Sequence, residues 1–201
     1  MPDTADSQAR IEALERRLEE ETGRFKRLIH VATQLSSTLN LQDLLHLVMT
    51  SAAELLGAET TSLLLLDEET QELVFEVVAG GPASHLAKRR LPRGEGIAGW
   101  ALDRREPVLV EDPRVDQRFS PQIEELTGFK THNLLAVPLL VKERAIGVIE
   151  VLNKLSDSGF DSLDLEVAQA LASFAAVAID NASLYARLAD AVVTARLSYR
   201  L

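Results

Sequence analysis

Residues 127–154 read TGFKTHNLLAVPLLVKERAIGVIEVLNK, and the architecture follows from how this segment is understood. Asn133 to Val141 is almost purely apolar. Ala145 to Leu152 is apolar again, interrupted only by Gly147 and Glu150. The polar link Lys142-Glu143-Arg144-Ala145 separates them. Two short apolar runs joined by a tight polar link predict a β-hairpin. Runs this apolar belong to strands covered on both faces, so the hairpin is expected at the centre of a sheet. Pro138 lacks an N–H for the ladder and is expected at a bulge or turned away from a partner strand.

Upstream, Asn40 is placed to cap a helix whose apolar face is Leu41, Leu44, Leu45, Val48, Ala52, Leu55 and Leu56, with Gly57 ending it. Thr60–Leu66 (TTSLLLL) predicts a strand, 67–70 a turn and Glu72–Ala79 its partner, stopped by Gly80-Gly81-Pro82. A short strand is expected within 86–91. The run Leu91-Pro92-Arg93-Gly94-Glu95-Gly96-Ile97-Ala98-Gly99-Trp100 predicts a helix from about Glu95 to Arg104, whose free N–H groups could hold an anion. The spacing of Gly94, Gly96 and Gly99 also admits a dinucleotide-binding reading, which the lack of a Val/Ile-rich strand just before it disfavours. Pro107–Val110 predicts a strand, 121–126 a short helix, and Asp161 or Ser162 caps a long final helix. Strands flanked by helices at both ends of the chain define an α+β sandwich: a central antiparallel sheet with helices on one face.

Composition narrows the function. The chain has 201 residues, 46% hydrophobic and 26% charged, enough for a packed core, and only 4% aromatic, so Leu, Val, Ile and Ala must fill it. A net charge of −10 argues against a nucleic-acid partner. No apolar run is expected to approach the roughly 18 residues a membrane helix needs, and the polar, acidic start does not read as a signal peptide. The absence of cysteine excludes disulfides and thiol catalysis, and a cytoplasmic setting is expected. His30, His46, His85 and His132 show no metal-ligand spacing, though one histidine alone could ligate a haem. With no legible triad or carboxylate pair, the chain is expected not to be an enzyme.

The ends of the chain carry a different pattern. Ile11, Leu14, Leu18, Phe25, Leu28, Ala32, Leu35 and Leu39 step by three and four, with Glu21 the one violation. Phe174, Val177, Asn181, Leu184, Leu188, Ala191 and Ala195 do the same. These seams predict a homodimer zipped by its first and last helices, with Asn181 as a register-fixing polar position; the other readings are a solvated amphipathic first helix and a last helix packed on its own sheet, and residues 162–180 can do both. The organisation expected is a dimerisation helix (1–39), a domain (40–184) and a helical extension (185–201).

The segments GEGIAGW (94–100), PVLVED (107–112), RFSPQIEELTGFKTHNLLAVPL (118–139) and IGVIEVLNK (146–154), with Phe160 and Asp164, resemble a GAF domain over about Leu41 to Leu184. The 127–139 run is similar to the version in cyclic-nucleotide phosphodiesterases and their bacterial relatives. The resemblance implies a profilin-like sheet of about six antiparallel strands and a pocket for a small ligand opposite the dimer helices. It also implies an effector domain downstream or separate, with a cyclic nucleotide among the candidate ligands. It maps the family's Asn-Lys…Phe…Asp signature onto Asn153, Lys154, Phe160 and Asp164; Lys154 at a strand end and Asp164 in the first turn of the final helix are read either as an ion pair pinning that helix to the sheet or as direct ligand contacts. Leu165 follows that Asp where cyclic-nucleotide binders carry Glu, a departure that bears on the ligand and not on the fold. It places Ile97, Ala98, Phe119, Ser120, Glu124, Thr127 and Thr131 in the pocket. Glu150, a carboxylate inside an apolar strand, is read either as pocket lining or as a charge at a solvated strand end. A domain that binds nothing and only dimerises stays open beside these.

Overall fold

The structure, a computed structural model, describes residues 4–38, 40–79 and 86–198, with side chains described from Ser7 to Ala189. Leu39, the 80–82 strand break, His85 and the side chains of Ala191 and Ala195 lie outside these.

Helix α1 (Thr4–Ser37) leads to α2 (Leu41–Leu56). Asn40 caps α2 through its side chain, accepting from the Asp43 N–H at 3.1 Å. Gly57 closes α2 in the left-handed conformation, φ 57°. There follow β1 (Ala58–Leu66), β2 (Leu73–Ala79), β3 (Arg90–Leu91), α3 (Gly96–Arg104), β4 (Val108–Val110), α4 (Gln122–Thr127), β5 (Leu134–Val141), β6 (Arg144–Lys154) and α5 (Ser162–Ser198). The six strands form one antiparallel sheet in the order β3-β2-β1-β6-β5-β4. The predicted hairpin, β5–β6, sits inside the sheet as its apolar runs require. Its turn is tighter than expected. Val141 pairs with Arg144, so only Lys142 and Glu143 form the loop, with Lys142 at φ 56°. Pro138 faces Val148, beyond the last β4 pairing and one residue before a register irregularity at Leu139/Leu140.

Strand alternation divides the residues between two cores. Leu63, Leu135, Val137, Ile149 and Val151 meet α1, α2 and α5. Leu64, Phe75, Leu134, Ala136 and Val148 meet α3 on the opposite face. Contrary to the expectation from composition, α5 is apolar and long enough over Ser162–Ala189 to cross a bilayer. Its Leu171, Ala175 and Ile179 are buried against the sheet, so it serves as a core helix.

The seam on α1 requires a correction. Leu28 and Leu35 are 7% and 1% exposed, packed into the protomer's own core with α2 and α5. They cannot also face a twin helix. Leu14 and Leu18, at 59% and 65%, remain exposed, as do Phe25, Phe174, Leu184 and Leu188. Asn181 is exposed on the same helix.

Helix direction follows from contacts. Lys26 and Arg27 share a groove with Glu54 and Leu55, and Gln34 lies in it with Leu47, so α1 and α2 are antiparallel. The end of α2 meets the start of α5 at Lys154, whose ammonium reaches both the Leu56 carbonyl and Asp164. Hence α1 runs parallel to α5, with Arg24 beside Asp164. Side chains 7–20 of α1 and 184–189 of α5 are all exposed. Arg144 ties the β5–β6 turn to Asp180 of α5 at 2.8 Å and also pairs with Glu68.

Candidate functional site

A cavity of about 80 Å³ lies on the α3 face of the sheet. Its floor is sheet: Thr60 and Ser62 of β1, Phe75 and Val78 of β2, Leu134 of β5, Glu150 and Leu152 of β6. The register brings the polar residues together, with Ser62 directly opposite Glu150 and Thr60 opposite Leu152. Across β6, Glu150 faces Ala136, whose short side chain leaves room above it.

The roof is built from irregular segments held by specific bonds. Gly96, Ile97 and Ala98 open α3, whose N-cap Glu95 makes no capping side-chain bond, so the first N–H groups of this helix have no intrahelical or side-chain acceptor. Phe119 and Ser120 come from the loop after β4. The Arg118 guanidinium grips Asp116 through two bonds of 2.6 and 2.9 Å and lies 4.6 Å from the centre of the Trp100 ring, fixing the loop to α3. That hydrogen bonding holds the Asp116 carboxyl below its usual range. Ser120 donates to Glu95 at 3.3 Å.

On α4, two of the expected ligand contacts already have partners. Glu124 accepts the Thr131 N–H at 2.6 Å and has Lys130 at 3.6 Å. Thr127 donates to the Ile123 carbonyl and accepts the Phe129 N–H. Both line the cavity while clamping α4 to the 129–131 segment. All eight residues proposed for the pocket, Ile97, Ala98, Phe119, Ser120, Glu124, Thr127, Thr131 and Glu150, come together on its wall. Thr60 and Ser62 went unnoticed, although alternate hydroxyls in the otherwise apolar TTSLLLL were a signal. The rings of Phe75 and Phe129 gave none.

Two groups stand out for lacking partners. The Thr60 hydroxyl is buried with no hydrogen bond among the described residues. Glu150 lies mid-strand, not at a solvated end, and what surface it keeps is cavity wall. Burial alone pushes its carboxyl up to about 7. Between pH about 4.5, where the unfolded chain loses this proton, and about 7, the folded chain still holds it. Stability therefore falls as pH rises through that window. Allowing for water at the cavity mouth, the loss is about 2 kcal/mol. Glu150→Gln is expected to flatten this slope and to be the more stable protein at pH about 8. Urea unfolding at low and high pH checks it, and equal destabilisation of the variant at both would contradict it.

Beside the cavity, the Asn153-Lys154 pair joins its rim to the helices. Asn153 adopts φ 58°, a conformation Asn tolerates. Its carboxamide accepts the His132 N–H at 2.7 Å and donates to the Lys130 carbonyl at 2.8 Å. Lys154 bonds both oxygens of the buried Asp164, at 2.8 and 2.9 Å, and lies 5.5 Å from the Phe160 ring centre. Asp161 and Asp164 exchange backbone-to-carboxylate bonds as a capping box at the start of α5.

Comparison with known proteins agrees with this geometry. The profile of the GAF domain matches residues 40–179. The chain is 32% identical over 169 residues to a dual 3',5'-cyclic-AMP and -GMP phosphodiesterase 11A of Takifugu rubripes, covering 79% of this chain and 19% of that protein. The GAF domain of a phosphoenolpyruvate-protein phosphotransferase from Coxiella burnetii superposes with a TM-score of 0.72 at 23% identity, covering 82% of this chain and 96% of that one. The GAF-B domain of DevS from Mycobacterium smegmatis gives 0.57 at 25% identity, over 71% and 94%. This chain belongs to the GAF domain family, regulatory domains of signalling proteins that bind small ligands.

Proposed function

We propose that this GAF domain is the sensing element of a cytoplasmic signalling protein. A small ligand fills the cavity, and its presence biases how α1 and α5 pack in a homodimer, which an effector domain reads. A ligand shifts such an equilibrium only through unequal affinity for the two packings. The observation that carries this reading is the cavity floor, where the Thr60 hydroxyl is buried without a partner among the described residues and Glu150, half-buried, presents a carboxyl to the cavity wall. Groups left so are costly unless something else bonds them.

The dimer is supported by the exposed apolar positions Leu14, Leu18 and Phe25 on α1 and Phe174, Leu184 and Leu188 on α5. The finer reading of the ligand, a cyclic nucleotide, is supported by the phosphodiesterase relative. Its phosphate would have the N–H groups of Ile97 and Ala98 as donors. The alternative is a module that only dimerises.

The test is calorimetric titration of the whole chain with cyclic AMP, cyclic GMP and a metabolite panel, alongside sedimentation. A dimer at micromolar concentration is expected, converted to monomer by Leu14→Glu with Leu18→Glu, and at least one ligand should give heat and a raised melting temperature. A dimer with no response to any compound would leave only the dimerisation module.

A further inference from the structure

The charge around the cavity constrains its occupant more sharply than its shape. Among the described residues no Lys, Arg or His lines it, while two carboxyls, Glu124 and Glu150, do. Glu124 is satisfied by the Thr131 N–H and neighbours Lys130. Glu150 has no hydrogen-bond or charge partner among the described residues. An anion placed on the floor would meet a carboxyl and no cationic side chain, in a setting where water screens little. The groups offered there are the Glu150 carboxyl, which once ionised can only accept, and the hydroxyls of buried Thr60 and of Ser62, the latter facing Glu150 across the β1–β6 ladder, which can accept as well as donate. An ammonium has three donors and no acceptor, and an amidinium is likewise donor-only, so either suits an ionised carboxyl with hydroxyls on the same wall. Phe75, Phe119 and Phe129 supply apolar area for the rest of such a molecule, and their ring faces attract a cation.

We propose that the cavity binds a small organic cation, its ammonium or amidinium head seated against Glu150, Thr60 and Ser62 and its apolar body under the Phe119 side of the roof. The proposal rests on the cavity being a ligand site and departs from a cyclic nucleotide as the occupant.

The cationic head stabilises ionised Glu150, so binding releases the proton that burial otherwise retains. Affinity therefore rises as pH increases from about 6 to about 8. Among the described residues facing Glu150, none other is free to titrate in this range. Ser62 and Thr60 on β1, Ala136 on β5, Phe75 on β2 and Ile97 on α3 do not titrate, and Glu124 on α4 is engaged with the Thr131 N–H and Lys130.

Three probes of matched size separate the possibilities: 2-phenylethylamine, 2-phenylethanol and 3-phenylpropionate, with benzamidine as a second cation, titrated into the whole chain by NMR. The amine should bind roughly tenfold tighter at the higher pH, and the carboxylate should not bind. Glu150→Gln should weaken the amine at least about tenfold and abolish the pH slope while still unfolding cooperatively. Thr60→Val should weaken the amine but keep the slope. The proposal is overturned if 3-phenylpropionate binds as well as the amine, if Glu150→Gln leaves amine affinity intact, or if neither cation binds at about 10 mM. Cyclic nucleotides or panel metabolites binding where the cations fail would sink the cation alone and leave the sensing role standing. Silence from every compound would remove both.

Discussion

Lys154→Met should lower the unfolding free energy by about 3–5 kcal/mol, the range for leaving one partner of a buried ion pair behind. Asp164 is 2% exposed, and after the substitution its carboxylate would keep only the Asp161 N–H at 3.2 Å and the Arg24 guanidinium at 3.6 Å. The Leu56 carbonyl at the end of α2 would lose its ammonium donor in the same step. At this chain length the change corresponds to a fall in melting temperature of roughly 10 °C. The double variant Lys154→Met with Asp164→Leu should recover much of the loss, since an apolar pair leaves no charge unanswered. Thermal unfolding of the four proteins of the cycle measures this. Additive losses would mean that the two side chains act independently and that the bond holding α5 to the sheet lies elsewhere.

Gly147→Ala is expected to cost about 3 kcal/mol or more, beyond the usual range for one extra methyl group in a core. A Cβ at Gly147 would stand 2.3 Å from the Leu64 carbonyl oxygen and 3.2 Å from the Leu65 Cα. Those are backbone atoms of β1, so no rotamer change relieves the overlap and the central β1–β6 pair must part. Gly57→Ala is the control. A Cβ there meets nothing within 4 Å, and the cost is the left-handed conformation alone. That cost is about 1–2 kcal/mol. Chemical denaturation should rank Gly147→Ala well below Gly57→Ala. Equal midpoints would show that the two strands yield more easily than their pairing suggests.

The sheet was legible because its determinants are local. The unbroken apolar runs of 133–141 and 145–152 fix a buried hairpin, and Asn40 and Gly57 bracket α2 by capping chemistry that needs no tertiary information. The ring of residues around the cavity was visible only through the family resemblance. Of its floor only Glu150 was legible, as a carboxylate inside an apolar strand; Thr60 and Ser62 join it through a β1–β6 register spanning some ninety residues of chain. The α1 seam misled for a related reason. A three-and-four periodicity shows that one side of a helix is covered, and Leu28 and Leu35 are covered by the same protomer. Arg24, aligned with Asp164, has no signature in sequence.

The parallel course of α1 and α5 makes the domain a splice in a drive shaft. Their outer ends point to opposite poles, roughly 80 Å apart at 1.5 Å per residue. Anything coupled at one pole is in line with anything coupled at the other. Because each residue of a helix turns the next by about 100°, adding or removing a single residue between the sheet and either pole would re-aim the output without touching the cavity.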